Sequence, residues 1–346
     1  MNDEFKVSHI PILPNDLRGS ISILLRPTPS GIYCEQGDFY IDPVRPVARA
    51  VITHAHTDHA RAGMKAYLTS KSGEPLVRAR VGQRAQIEAL PFGASIDIGG
   101  VKVSLHPAGH ILGSAQVRVE YGGDVWVVSG DYKLEPDSTC ETFEPVKCNT
   151  FITESTFAKP TYKWKAQKII FNQINDWWSL NKLWGRASVI GAYSLGKAQR
   201  LLAGIDPSIG SVYIYPTIEQ YLPFYKKFGA IFPELKLFDK ENIAEIISER
   251  PLIVAPPNLR NLFDGVAAEK ISTGFASGWM SRGGKNSTIY DIGFPLSDHA
   301  DWNGLLTAIK QTEATSVHVM HGFTKTLTEH LRTTGYDAHE FHLPDK

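Results

Sequence analysis

The sequence predicts an α/β protein in two parts: a strand-rich unit carrying a polar site, and a separate unit of alternating strands and helices. Three observations lead there. Short apolar runs alternate with polar turns from Gly31 to Thr153, several of those runs end abruptly in chemically active residues, and the texture changes after Lys159. In the first stretch Asp38–Ile41, Ala50–Thr53, Val101–Leu105, Gln116–Val119, Val125–Ser129 and Phe151–Thr153 read as strands. Polar clusters at His54, Asp131 and Glu154 follow three of them, and a strand end is a rigid support for a functional group. Lys163–Lys182 then reads as an amphipathic helix, with Ile169, Ile170, Ile174 and Trp177 at helical spacing. Ser188–Tyr193 reads as a strand, Leu195–Leu202 as a helix, Ser211–Tyr215 as a strand and Glu219–Phe228 as a helix, an order that suggests parallel pairing. This unit is expected to end in the Gly-rich stretch Phe275–Lys285. Beyond it Ser287–Ile292 reads as a strand, Trp302–Lys310 as a helix and Ser316–Met320 as a strand.

Composition excludes some classes and leaves others open. A chain of 346 residues, 42% hydrophobic, can bury a sizeable core. No apolar run approaches the roughly 20 residues needed to span a bilayer. The N-terminal MNDEFKVSHIPILPND lacks a signal-peptide pattern, and Cys34, Cys140 and Cys148 form no C-x-x-C pair, so a reduced, cytoplasmic setting is expected. Lys+Arg and Asp+Glu are equal at 36 each, so net charge gives no argument for a polyanionic partner; that case has to come from a site.

The strongest site signal is Thr53-His54-Ala55-His56-Thr57-Asp58-His59. Along an extended backbone residues two apart share a face, so His54 and His56 can address one metal while Asp58 and His59 reach toward a second. Zinc and manganese accept imidazole nitrogen and carboxylate oxygen, and the absence of nearby cysteine argues against a structural zinc site. The alternative, a polar loop that happens to hold three histidines, fits poorly with an apolar strand leading straight into it. Two metals need further ligands. His110 follows the Val101–Leu105 strand, Asp131 follows Val125–Val128, and His321 ends the last apolar strand. A carboxylate such as Asp131 can bridge metals about 4 Å apart. His106 is the one rival to His110, His318 is read as sheet packing, and His9, His330, His339 and His342 as surface residues.

The set His-x-His-x-Asp-His, His110, Asp131 and His321 resembles, in order and spacing, the motifs of the metallo-β-lactamase superfamily. That resemblance implies an αββα sandwich, two divalent metal ions (zinc or manganese), and a positioning role for Asp42, which matches the superfamily's first aspartate. Metal one is assigned to His54, His56, His110 and Asp131, and metal two to Asp58, His59, Asp131 and His321. A long interval separates Asp131 from His321, and features within it resemble the β-CASP nucleases: Glu154-Ser155-Thr156-Phe157 their motif A, Ser297-Asp298-His299-Ala300-Asp301 their motif B, His321 their motif C, and Ala192–Gln199 a strand-to-helix passage of their cap. The implied division is a discontinuous metallo-β-lactamase domain, 1–158 and 294–346, with a β-CASP cap at 159–293.

Within the group, Gly31–Cys34, Gly37–Pro43, Ser277–Met280 and Ser297–Trp302 most resemble bacterial ligase-associated DNA exonucleases. This implies DNA as substrate, processing from a 5′ end, a role in DNA repair and functional association with a DNA ligase and a helicase. His321 keeps RNA open, because DNA-processing relatives commonly carry an aliphatic residue at motif C. The chain ends soon after His321, where many bacterial ribonucleases of the group continue into an oligomerisation domain, and this is read as mildly favouring DNA. Asp58, His299 and Glu154 are the expected catalytic residues, with His299 as general acid and Glu154 favouring its imidazolium form. Ser297, Ser194 and Lys197 are candidate substrate contacts, the last two against the plainer reading of a capped, solvated helix. Trp164, Trp177, Trp178 and Trp184 could stack on bases, but a core role suits such a stripe better. The alternatives are a β-CASP ribonuclease, a small-molecule metallohydrolase such as a lactonase or thioesterase, and an inactive scaffold, which the complete ligand set argues against.

Overall fold

The computed structural model describes residues 23–258, 263, 265–282 and 290–344, and the statements below concern these. Three sheets organise the chain. The first has the order β1 (Arg26–Thr28), β2 (Gly31–Cys34), β3 (Phe39–Ile41), β4 (Arg49–Val51), β5 (Ala66–Ser70), β6 (Ile87–Leu90), antiparallel as far as β3 and parallel thereafter. Helix α1 (Glu74–Val81) joins β5 to β6. The second sheet begins with the antiparallel run β7 (Ser95–Ile98), β8 (Val101–Pro107), β9 (Ala115–Tyr121), β10 (Asp124–Val128), and continues in parallel through β11 (Thr150–Ser155).

The third sheet contains β12 (Ala187–Gly191), β13 (Val212–Ile214), β14 (Lys236–Leu237), β15 (Leu252–Ala255), β16 (Ile271–Ala276) and β17 (Ile292–Phe294). Its spatial order is β14-β13-β15-β12-β16-β17, with every pair parallel. Parallel strands need crossovers. Helix α2 (Gln167–Leu183) brings the chain from the second sheet into β12, and the crossovers include α3 (Lys197–Gly204), α4 (Pro216–Glu219), α5 (Leu222–Lys227) and α6 (Ile243–Ser248). The chain then returns through α7 (Trp302–Thr312) to place β18 (Ser316–Gly322) beside β11, and ends with α8 (Thr324–Thr333) and β19 (Asp337–Glu340).

Period-two burial explains the layers. Phe39, Ile41, Val51 and Leu68 of the first sheet pack against Val103, Leu105, Val117, Val119 and Val128 of the second. The other face of the second sheet, through Phe151, Val317 and Val319, packs on Trp302, Leu305 and Ile309 of α7 and Leu327 and Leu331 of α8. Ala50, Ile52 and Tyr67 of the first sheet pack on Leu76 and Val77 of α1. In the third sheet Ile190, Val254 and Ile214 face α2 and α3, while Val189, Ile253 and Tyr213 face α6. No helix among the described residues is long and apolar enough to cross a membrane.

Several sequence readings need correction. The helix expected from Lys163 starts at Gln167, because the Trp164 amide donates to Asp301 and its indole N–H to the His299 carbonyl. The helix expected over Glu219–Phe228 is two pieces, α4 and α5; Pro223 lacks the N–H that a continuous helix would use. The one expected from Leu195 begins after Gly196, whose φ of 87° is outside the helical region. Glu154 lies within β11 rather than beyond its end. Residues 287–289 of the Ser287–Ile292 reading, 283–285 of the Gly-rich stretch, and the N-terminal segment with His9 lie outside the described residues.

Candidate metal centre

The strand ends of the two facing sheets converge on one cavity of about 490 Å³, bounded on its far side by the third-sheet unit. Its floor is built locally. The strand β4 ends at Val51 and the chain bends at Thr53, where Asp42, just past the end of β3, braces it. One carboxylate oxygen of Asp42 accepts from the Thr53 amide at 2.8 Å; the other accepts from Thr53 Oγ1 at 2.6 Å and from His59 Nδ1 at 2.7 Å. Gly130 makes the turn that delivers Asp131. Its φ is +56°, and a Cβ there would lie 2.8 Å from that of Thr53. Asp42 (φ 45°) and His321 (φ 53°) are non-glycine residues in the left-handed region, backbone strain of the kind found at functional sites.

His54, His56, His110 and Asp131 bring one donor atom each within 4.8 Å of one another. His56 Nδ1 is 3.1 Å from both His54 Nε2 and His110 Nε2. Asp131 Oδ2 is 3.6 Å from His54 Nε2 and 3.7 Å from His110 Nε2. The outer ring nitrogens are committed elsewhere: His56 Nε2 to the Leu195 carbonyl at 3.2 Å and His110 Nδ1 to the Asp298 carbonyl at 2.8 Å. A carbonyl only accepts, so these partners assign the ring protons outward and leave bare nitrogens facing inward. Burial, then the neighbouring imidazoles, hold His54 well below its ordinary pKa; burial, then His299, does the same for His110. Facing lone pairs around a carboxylate repel without a cation between them, so this donor set fits a divalent metal.

The second set is looser. His59 Nε2 is 3.6 Å from Asp131 and 3.7 Å from Asp58, whose side chain is largely exposed. The His321 ring lies 6.2 Å from that of His59, at the cavity wall. Burial opposes the His59 imidazolium, but Asp131 and Asp42 outweigh it and push its pKa up to about 10. Asp131 is opposed by burial too, yet His59 and His299 hold it well below the usual carboxylate range.

Beside the cluster, His299 Nδ1 lies 2.9 and 3.0 Å from the two oxygens of Glu154. Those oxygens also accept from the Tyr132 amide and from Thr156 Oγ1. Glu154, His299 and Asp131 are close enough to form a second metal-sized group, but Glu154 already serves three donors and is better read as the partner of His299. Burial works against a charged His299; Glu154, then Asp131, overcome it and push its pKa up to about 9.

The candidate substrate contacts divide. Ser297 lines the cavity, but its Oγ accepts from the His299 amide at 3.1 Å and so shapes that turn. Ser194 also lines it and shares a hydrogen bond with Thr217. Lys197 is 3% exposed, not solvated: its ammonium lies 2.7 Å from Asp298 and donates to the Leu296 carbonyl. Arg200 on the same helix is buried between Asp298 and Asp137. Gly196 N and Ala198 N at the start of α3 are satisfied by Gln199 and Tyr193. Of the tryptophans, Trp178 is fully buried, Trp177 and Trp164 donate to Ser272 and His299, and Trp184 is exposed away from the cavity. Sequence reading missed Arg80 and Tyr221 in the lining, each in a segment without a motif, and gave no site role to Trp279, although Ser277–Met280 was among the segments of resemblance. His106 bonds Ser104, and His318 packs among Trp126, His339 and Phe341, both outside the cavity.

No family model matches the chain. Among curated proteins it is similar to a "Probable DNA ligase" of Opitutus terrae, 31% identical over 89% of this chain and 30% of that protein. It is also similar to "Endoribonuclease ysh1" of Schizosaccharomyces pombe, 30% identical over 60% of this chain and 28% of that protein, and to "Endoribonuclease YSH1" of Saccharomyces cerevisiae, 27% identical over 35% and 16%. The chain thus spans less than a third of the length of these relatives.

Proposed function

The chain belongs to the β-CASP nuclease group of the metallo-β-lactamase superfamily, and on that premise we propose that it is a metal-dependent nuclease hydrolysing DNA phosphodiesters, as an exonuclease running 5′ to 3′. The observation that carries the reading is the four-donor cluster with the Glu154–His299 pair beside it in one cavity. In this reading the two facing sheets and their outer helices are the αββα sandwich, 1–158 with 294–346, and the third-sheet unit, 159–293, is the β-CASP cap. DNA repair, a cytoplasmic setting and association with a DNA ligase and helicase belong to the same proposal. The match over 89% of this chain to a protein named "Probable DNA ligase" supports DNA.

His54, His56, His110 and Asp131 would hold one divalent ion, zinc or manganese, and Asp58, His59, Asp131 and His321 a second. Bound there, such ions acidify water and neutralise phosphate charge. The chain's own residues do the rest. Asp42 and the carbonyls of Leu195 and Asp298 fix the ring orientations of His59, His56 and His110. Glu154 keeps His299 protonated at neutral pH. With Nδ1 turned to Glu154, the Nε2 proton of His299 is free to pass to the leaving oxygen of a strand in the cavity.

A ribonuclease is the second reading, favoured by the endoribonuclease relatives and by His321. The test is a metal-supplemented assay of end-labelled single-stranded DNA, duplex DNA and RNA, with a closed DNA circle beside its linear form. Linear DNA should be degraded and the circle spared. Cutting of the circle at the linear rate would remove the exonuclease assignment, and a preference for RNA would replace the DNA one.

A further inference from the structure

One cation on the cavity wall is used by neither the metal centre nor the Glu154–His299 pair. Arg80 stands in the last turn of α1 and lines the cavity. Its Nε donates to the carbonyl of Ala55, 3.2 Å away, between His54 and His56. Its Nη2 donates to Tyr221 Oη at 3.3 Å, where α4 gives way to α5. Both partners are uncharged, and no carboxylate pairs with Arg80 among the described residues. The neighbouring cations differ: Lys197, Arg200 and Lys133 are buried and paired with the carboxylates of Asp298, Asp137 and Glu135. Arg80 is half-buried, is already held in place by two hydrogen bonds, and keeps further N–H donors free. A guanidinium with an uncompensated charge and spare donors in a fixed fork suits the paired oxygens of a phosphate.

We propose that Arg80, with Tyr221 Oη beside it, binds the non-bridging oxygens of a phosphodiester neighbouring the scissile one, a strand-holding subsite where α1 meets the third-sheet unit. The proposal rests on the nuclease reading, and its ligand is the phosphodiester common to DNA and RNA. Because Arg80 also bonds the Ala55 carbonyl, the competing account of it is a plainer one, steadying the ligand loop. The two roles differ in what they do to substrates with and without a neighbouring phosphate.

The experiment compares wild type with Arg80→Gln and Arg80→Lys, each first checked for metal content and urea midpoint. Binding of a fluorescein-labelled single strand to metal-stripped protein is followed by anisotropy against monovalent salt. Loss of one phosphate contact should flatten the slope of log Kd against log salt by about 0.7. It should weaken low-salt binding about tenfold, and Arg80→Lys should recover most of the slope. With metal restored, Arg80→Gln should lose far more kcat/KM on a polynucleotide than on bis(p-nitrophenyl) phosphate, which has no neighbouring phosphodiester. An unchanged salt slope, or equal losses on both substrates, overturns the subsite and leaves Arg80 a loop support. Loaded wild type that cuts no polynucleotide at all overturns the nuclease reading instead.

Discussion

Glu154→Gln is the perturbation that asks most of the proposed acid. Glutamine keeps the size of the side chain and its hydrogen bonds with Tyr132 and Thr156, but removes the charge that faces His299 at 2.9 Å. The His299 pKa is pushed up to about 9, with Glu154 the largest raising influence and Asp131 the next. When Asp131 ligates a cation its contribution is withdrawn, so in the loaded protein the value sits at or below that figure and depends on Glu154 all the more. Without Glu154 burial is opposed by the weaker influence of Asp298, and the ring moves down toward the ordinary imidazole value of about 6.5. The acid must be protonated to work, so activity is fully present below the His299 pKa and lost as pH rises through it. At pH 8 a ring titrating near 9 is about nine-tenths protonated, and one at 6.5 only about three-hundredths, a loss of up to about thirtyfold that shrinks to about fourfold at pH 7. The assay is the pH profile of kcat/KM on labelled single-stranded DNA for both proteins. The alkaline limb should move down in Glu154→Gln while the rates converge at low pH. A limb that stays in place, with a uniform loss at every pH, would refute the acid assignment and make Glu154 a structural residue.

Other outcomes follow from the same geometry. Two metals per chain are expected, and Asp131→Ala should lower occupancy at both and abolish activity, read by elemental analysis beside the nuclease assay; one metal or none in active wild type would contradict this. His299→Ala should retain metal while losing about 10² to 10⁴ in rate on DNA, and much less on a nitrophenyl diester whose leaving group needs no proton. Asp137 is buried between Lys133 and Arg200, so Asp137→Asn should cost about 3 kcal/mol in urea unfolding at neutral pH. Burial disfavours the Asp137 carboxylate, but Lys133 and Arg200 hold its pKa below the usual value. Its contribution is therefore present above about pH 4 and lost as pH falls through the folded value, so wild type and variant should converge in acid.

What the sequence made legible was whatever has a short period or a fixed place on a strand. His54 and His56, two apart just past an apolar run, were expected to share a face, and His110 and Asp131 follow apolar strands; those rules brought the four residues that the structure groups into one view, although the chain bends at Ala55 and His56. Helix α1 was illegible because Glu74–Val81 buries only Leu76 and Val77 and opens on Pro75, which reads as a turn. With it went Arg80. The third sheet's order was illegible for another reason: β15, last but two in sequence, sits at the centre beside β12 and β13, and four buried residues in a row have no face to read. Lys197 was read as a substrate contact or else a solvated cation, and Arg200 sits on the same helix. Their partners Asp298 and Asp137 lie in remote segments, so only the folded chain reveals the pairing.

That buried network bears on how the metal centre is set. Two of the three imidazoles in the cluster take their orientation from carbonyls that lie outside the two early strand runs: His56 from Leu195, in the passage from β12 to α3, and His110 from Asp298, on the return to α7. The Asp298 side chain is in turn fixed by Lys197 and Arg200 on α3, and Arg200 by Asp137, in the loop after Asp131. A ring that loses its outer acceptor can turn over and present N–H in place of a lone pair, which would cost the cluster a ligand. For His56 and His110, therefore, the strand ends of the two facing sheets supply the donors without aiming them. Aiming requires the third-sheet unit to be docked, so the surface that closes over a strand and the contacts that ready the ligands belong to one packed structure.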